Sequence, residues 1–289
     1  MKKLLVSNRF IFLIPTLIFF SIFAVAQIIT VVVMSFTSFN LLEPNSFKFV
    51  GIHNYVKAFH DPFFWPSLIV TFEFMALVIL ITIPVALILA LLIYRENKFN
   101  GVARVIFYLP YMTPAVVAGT MWAWLLSPDT GLFNAFLKNI GIGQIPWLTN
   151  PTLAVITVSL VQVWGSVGFI MIIFITALQN IPREFMEAAV IDGANKFQVL
   201  RYITLPSMRG SIILALVFIL AYSFNNFSLI YVLTDGGPGY ATSVISYYVY
   251  QTAFSNFQIG YASALTIFEL VIVFAIALLV IRFQYREES

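Results

Sequence analysis

The chain has 289 residues, 61% of them apolar and only 9% charged, with a mean hydropathy of +0.97. Soluble domains carry about 25% charged residues, so this composition excludes one and sets the class as an integral membrane protein. A net charge of +3, spread in small groups, gives nucleic acid no footprint, and the absence of cysteine excludes disulfides, thiolate catalysis and Cys-ligated metal.

A bilayer core needs about 20 consecutive apolar helical residues. Six stretches meet this in chain order: 10–36, 68–94, 105–126, 153–178, 210–233 and 261–281. Period-two alternation does not dominate, which argues against barrel strands. The expected fold class is therefore an all-α bundle of six transmembrane helices. The first stretch opens like a signal peptide, with Lys2-Lys3, an apolar run and Ala24-Val25-Ala26. Apolar sequence continues well past that site, beyond the about 7–15 residues of a signal's apolar region. An uncleaved first span is predicted. His53 and His60 follow in the first external loop, and neither has a metal-like companion spacing. Prolines Pro15, Pro84, Pro110 and Pro114 interrupt spans, which a bundle tolerates because neighbours re-satisfy the freed backbone groups.

Six spans put both termini on one side. Lys2, Lys3, Arg9, Arg95, Lys98, Arg104, Arg183, Lys196, Arg201, Arg209, Arg282 and Arg286 then share a side, against Lys48, Lys57 and Lys138 on the other. The positive-inside rule makes both termini and the 179–209 loop cytoplasmic. That loop holds "EAAVIDGANKFQVLRYITLP" at 187–206. Pro182 suits a first helical turn, Glu184 sits at the positive end of the dipole, and the helix runs to about Asp192. Gly193 fits the left-handed closing position. Asn195 with Gln198 reads as a capping box opening a second short helix that stops before Leu205-Pro206. An amphipathic segment lying on lipid favours Lys and Arg, but here Glu184, Glu187 and Asp192 face one Arg183. Acidic residues gain nothing from anionic lipid, so a protein partner with basic groups is the better reading.

Glu187-Ala188-Ala189, then Gly193, then Ile203-x-Leu205-Pro206 resembles the EAA loop of ABC importer permeases. The resemblance extends to the carbohydrate-importer permeases of the maltose, multi-sugar and glycerol-phosphate type. It is carried by "FVGIHNYVKAFHDPFFW" (49–65), "YLPYMTPAVVAGTMWAWLLSPDTGLFN" (108–134), "NNFSLIYVLTDGGPG" (225–239) and "YVYQTAF" (248–254). It implies a six-helix type I permease, multi-pass in a bacterial cytoplasmic membrane. The loop would be a coupling helix pair seated on a cytoplasmic ATPase, with Glu187 as salt-bridge partner of a basic residue there and Gly193 as hinge. Glu184, Ala188, Ala189 and Asp192 belong to the same surface. Implied partners are a second homologous permease, two ATPase subunits and an extracytoplasmic solute-binding protein. ATP and Mg would be bound by the ATPase, and no cofactor by this chain, which has no G-x-x-x-x-G-K-[ST]. Gly236-Gly237-Pro238-Gly239 lacks a lysine and reads as an external turn.

A sugar site needs amide and hydroxyl partners plus aromatic surfaces. Gln162, Trp164 and Ser166 on the fourth span, Tyr222, Ser223, Asn225 and Asn226 on the fifth, and Tyr108 and Tyr111 on the third supply them. In the resembled family, sugar contacts fall at positions matching Tyr111, Gly165, Ser166, Tyr222, Ser223 and Asn226. Ala115, Ile219 and Ser223 depart from the maltose pattern, so the substrate expected is a sugar or oligosaccharide other than maltose. Glu73 and Glu269 are the formal charges within spans, both read toward the outer ends, Glu269 about 12 Å in from Tyr261 at 1.5 Å per residue. An ion-coupled secondary transporter of a small polar solute is the alternative. It calls for ionisable pairs at mid-bilayer. An intramembrane enzyme calls for a catalytic constellation that the sequence does not display.

Overall fold

The computed structural model describes residues 13–224 and 226–285. Among these, secondary structure is helical, and four helices are long and apolar enough to cross a bilayer, or six if each of two bent pairs counts as one span. The chain forms two compact units. One gathers the chain up to Trp65 with Tyr248–Val271, and the other Pro66–Tyr247 with the chain from Ile272.

In the first unit, helix α1 (Leu13–Ser35) is 0% buried over its apolar window, so most of its apolar side chains are left exposed by this chain. Helix α2 (His53–His60) folds back on its end. The buried Asn54 amide donates to the carbonyls of Ser35 and Thr37 at 2.9 and 2.8 Å, satisfying the last turn of α1. The Asp61 carboxylate accepts from the Tyr248 hydroxyl at 2.6 Å, from the Tyr261 hydroxyl, and from the Phe63 N–H at 2.8 Å. Lys57 lies 4.0 Å over the Tyr261 ring and donates to Gln258 at 2.8 Å. A Cβ on Gly260 would stand 2.1 Å from the Thr37 carbonyl oxygen, so only glycine admits this approach. Residues some two hundred positions apart thus knit one loop assembly.

The second unit is built on helix α7 (Pro151–Gln179), buried over 67% of its apolar window. Asn150 caps its N-terminus by accepting from Leu153 N–H at 3.1 Å, and Pro151 fills the first turn. Ile170, Met171 and Phe174 of α7 pack with Phe74, Val78 and Ala86 of α3 (Phe64–Ile93). Pro84 stays inside α3 without ending it. Arg104, on α4 (Lys98–Met112), donates to the carbonyls of Ile93 and Tyr94 at 2.9 and 2.8 Å and so closes the C-terminal end of α3. Helix α4 lies hard against α7: a Cβ on Gly168 would meet the Phe107 carbonyl oxygen at 1.9 Å.

Two of the six apolar stretches are not single helices. The third is α4 followed by α5 (Ala115–Leu125), bent by 97° at Thr113-Pro114. Pro114 removes a donor and restrains Thr113 to extended backbone, where its ψ is 127°. Helix α6 (Leu132–Asn139) follows on the way to α7. The fifth is divided into α10 (Arg209–Phe224) and α11 (Phe227–Leu233). Helix α11 packs on α5, with Gly119 admitting Val232 at 3.1 Å. The chain closes with α12 (Ile245–Tyr250) and α13 (Ile259–Tyr285).

Candidate functional site

The 179–209 loop forms two helices, α8 (Arg183–Ile191) and α9 (Lys196–Ser207). Gly193 between them has φ +77°, a backbone position that favours glycine. The capping box is complete: Gln198 N–H donates to Asn195 Oδ1 at 2.9 Å, and Asn195 N–H donates to Gln198 Oε1 at 2.7 Å. Helix α9 runs through Leu205-Pro206 instead of stopping before it. A π turn at Leu200–Thr204 opens the hydrogen-bond ladder there, just where proline lacks a donor. A bend of 67° then leads into α10.

On α8, Glu184, Glu187, Ala188 and the capping Asp192 are exposed, as is Gly193, while Ala189 is buried. Among the described residues, the three acidic groups form no ion pair. Beside them stand apolar side chains that sequence reading passed over: Ile191 is 85% exposed, Phe197 73% and Tyr202 74%. Their signal was legible as large apolar residues inside a charged loop. A cleft of about 270 Å³ lies at the hinge, lined by Asp192, Gly193, Gln198 and Tyr202 among others. Exposed apolar surface rimmed by charge marks a protein contact.

The second place lies half-way along α7. Ser166 is thirteen residues before Gln179, about 20 Å from that end at 1.5 Å per residue. Tyr111 of α4 stacks on Phe169 of α7 at 4.6 Å, Phe169 meets Phe218 of α10 at 4.3 Å, and Phe218 stacks on Tyr222 at 6.1 Å. Tyr108 joins at 5.5 Å from Tyr111. The structure therefore brings Tyr111 and Tyr222 into one aromatic cluster, through two phenylalanines that sequence reading missed. All five rings are half-buried.

Ser223 and Asn226 are 1% and 6% exposed, yet the Ser223 hydroxyl and the Asn226 amide nitrogen have no hydrogen-bond partner among the described residues. The Gln162 amide nitrogen and the Trp122 indole N–H share that condition. Buried polar groups are almost always paired, so these groups on α5, α7, α10 and at the start of α11, like Thr82, Ser246 and Thr252, are open to water, a neighbouring side chain or a ligand. Ser166 differs: its hydroxyl donates back to the Gln162 carbonyl at 2.9 Å. Trp164 sits in a separate cluster with Trp122, at 5.5 Å, and Phe133. Gly165 has nothing within 4 Å of where a Cβ would stand. Asn225 lies outside the described residues. Ile219 is buried, and Ala115 opens α5.

Glu73 is exposed on α3. Glu269 falls at the middle of the apolar stretch Ile259–Val280 rather than toward its outer end, because the helix begins before Tyr261. It shares the less exposed face of α13 with Leu265, Ile272 and Ile276. No cluster of His, Asp or Glu able to hold a metal occurs among the described residues.

Among the described residues, membrane-length helices, bent helix pairs and an exposed acidic elbow define a helical membrane protein. Residues 82–286 match the family described as binding-protein-dependent transport system inner membrane component, and the chain belongs to that family. It is similar to the sulfoquinovosyl glycerol transport system permease protein SmoG of Agrobacterium fabrum, 33% identical over 270 residues, covering 92% of this chain and 85% of that protein. Among solved structures it is similar to a bacterial ABC transporter that imports the acidic polysaccharide alginate. The TM-score is 0.85 at 27% identity, covering 97% of this chain and 96% of the other. The bacterial alginate transporter in complex with its alginate pentasaccharide-bound periplasmic protein matches with a TM-score of 0.84 at 27% identity, covering 97% and 94%.

Proposed function

We propose that the chain is the membrane-spanning permease subunit of an ATP-driven importer of a sugar or oligosaccharide, working with a second homologous permease, two ATPase subunits and an extracytoplasmic binding protein. The observation that carries the substrate class is that α10 presents a half-buried ring, Tyr222, next in sequence to a buried hydroxyl with no partner among the described residues, Ser223. Sugars present flat C–H faces to the first and hydroxyls to the second. The similar proteins named for sulfoquinovosyl glycerol and alginate both handle sugar-based molecules.

The α8–α9 elbow is the joint to the ATPase, on the cytoplasmic side with both termini. Glu187 pairs with a basic residue of the ATPase, Glu184 and Asp192 add to the same field, and Ile191, Phe197 and Tyr202 supply apolar contact. Ala188 and Ala189 allow close approach, and Gly193 sets the angle between the two helices. ATP and Mg stay on the partner. Closure of the ATPase dimer moves the elbow, and α9 and α10 pass that movement to the bundle. Ligand binding shifts the balance between inward and outward states only as far as it favours one of them. Tyr111, Tyr222, Ser223 and Asn226 contact the sugar, with Gly165, Ser166, Trp164 and Asn225 around them.

Reconstituted with its partners, the complex should take up sugar from the binding protein in a vanadate-sensitive way. Uptake abolished by collapsing ion gradients while ATP stays high would overturn this reading in favour of ion coupling.

A further inference from the structure

Helix α6 is built inside out. Its buried residue is polar: Asn134 is 3% exposed. The Asn134 amide nitrogen donates to the carbonyls of Pro128 and Ile145 at 3.2 and 3.1 Å, and its Oδ1 accepts from the Ile145 N–H and the Trp147 indole N–H, both at 3.1 Å. The large apolar residues are turned away from the chain. Leu132, Phe133, Phe136 and the capping Ile140 are all exposed, Phe136 to 63%. Leu132, Phe136 and Ile140 recur every four positions and so form one stripe. Lys138, two positions beyond Phe136, is about 200° round the helix and exposed on the far side. Gly141, at φ +82°, closes the helix, and the Ile142 N–H donates back to the Leu137 carbonyl at 2.9 Å.

Depth decides what meets that stripe. Phe133 stacks on Trp122 at 5.8 Å, and Trp122 meets Trp164 at 5.5 Å. Trp164 is thirteen residues into α7, about 20 Å from its start at 1.5 Å per residue. The whole of α7 is about 43 Å long, against about 30 Å for the hydrocarbon core. A helix two ring contacts from that level lies at membrane depth, not out in water beyond the head groups. A soluble partner that comes and goes would also leave the stripe bare between visits, an aggregation hazard. A lasting protein interface carries about one hydrogen bond per 100–200 Å² and is depleted in lysine. The stripe has no group to make such a bond, and Lys138 shares its helix. Acyl chains ask for no hydrogen bond, and a lysine on the polar face of such a helix suits head-group phosphates.

We propose that α6 is an interfacial helix, with its Leu132–Phe136–Ile140 stripe seated among the acyl chains of one leaflet and Lys138 at the phosphates. The connection between α5 and α7 is thereby pinned to the bilayer surface, and Asn134, through its four hydrogen bonds, turns the stripe outward. The inference needs neither the sugar reading nor the cytoplasmic placement of the 179–209 loop. The test exploits the absence of native cysteine. Phe136→Cys, Ile140→Cys and Lys138→Cys, each carrying a nitroxide spin label, are compared in the full-length chain, purified with the chains that assemble with it into nanodiscs of phosphatidylethanolamine and phosphatidylglycerol. Collision with oxygen, which concentrates in the acyl region, is read against collision with a water-soluble nickel chelate. The Phe136→Cys and Ile140→Cys labels should collide with oxygen and be shielded from nickel, at about 5–10 Å below the phosphates, while the Lys138→Cys label should meet nickel. Nickel reaching both stripe labels as freely as the Lys138→Cys label would put the stripe in water and overturn the proposal. Shielding from both reagents would assign the stripe to another membrane chain, and oxygen collision lost on adding the binding protein would assign it to that partner. Either result overturns the proposal as well. With two stripe positions, one still reads the depth where the other variant fails to fold.

Discussion

Asn226 is almost fully buried and its amide nitrogen has no partner among the described residues, which is costly unless another group, water or a ligand completes it. Asn226→Ala should therefore lower sugar uptake about tenfold or more, the loss of one to two hydrogen bonds, while ATPase co-purification stays normal. Unchanged uptake would remove Asn226 from the path. Glu187 makes the opposite prediction. It is exposed and forms no ion pair among the described residues, and the proposed function gives it its partner only in the complex. Glu187→Lys should leave the permease inserted and release the ATPase, and co-purification at the wild-type level would sink the pairing. Asp61 lies outside the spans, and its carboxyl is held below the ordinary carboxylate range. Burial pushes it up, but the hydrogen bonds from Tyr248, Tyr261 and Phe63, with the charge of Lys57, outweigh that. A depressed folded value means the charged form stabilises the fold above about pH 4 and that this contribution fades as pH falls through the folded value. The difference in melting temperature between wild type and Asp61→Asn should be constant from pH 5 to 7 and shrink below pH 4. A constant difference down to pH 2 would show that the carboxylate contributes nothing through its charge. Of these residues, Asn226 and Glu187 could be singled out from the sequence as candidates. Asp61 was not, because its partners lie about two hundred positions away in the chain.

Elements divide in the same way. The α8–Gly193–α9 elbow was readable because caps and hinges are local: Asn195, Gln198 and Gly193 act within four residues of one another. Its continuation through Pro206 was not, since the π turn ahead of it carries no local sequence signal. The break at Thr113-Pro114 had a local cue in Pro114, yet its 97° angle depends on what α5 packs against, namely α11. Gly168 shows how tightly such contacts are set. Ala at that position would drive a methyl into the Phe107 backbone, which has no rotamer to yield. Gly168→Ala should cost about 1–3 kcal/mol, seen as a lower melting temperature in detergent. A neutral result would mean that α4 and α7 separate at no cost.

For the whole molecule, composition alone decided that the chain lives in a bilayer, since 61% apolar residues have nowhere else to go. Hydropathy counted six candidate stretches, and the charges around them argue for a cytoplasmic elbow. With no native cysteine, a single Lys196→Cys can be labelled without background. Labelling only after the membrane is opened is the expected result, and labelling of intact cells would place the elbow outside. Bilayer residence and the apolar stretches were readable because each depends on the chain meeting lipid, water or its near neighbours, which a linear string records. Tertiary structure decided which helix is central to its unit, that one apolar stretch bends by 97° and another is divided into two helices, and that Tyr111 and Tyr222 join through Phe169 and Phe218. It also decided which buried polar groups, Ser223 and Asn226 among them, lack a partner among the described residues. Those outcomes depend on packing between residues far apart in sequence, where a glycine's missing Cβ or a ring's position matters at the scale of an ångström.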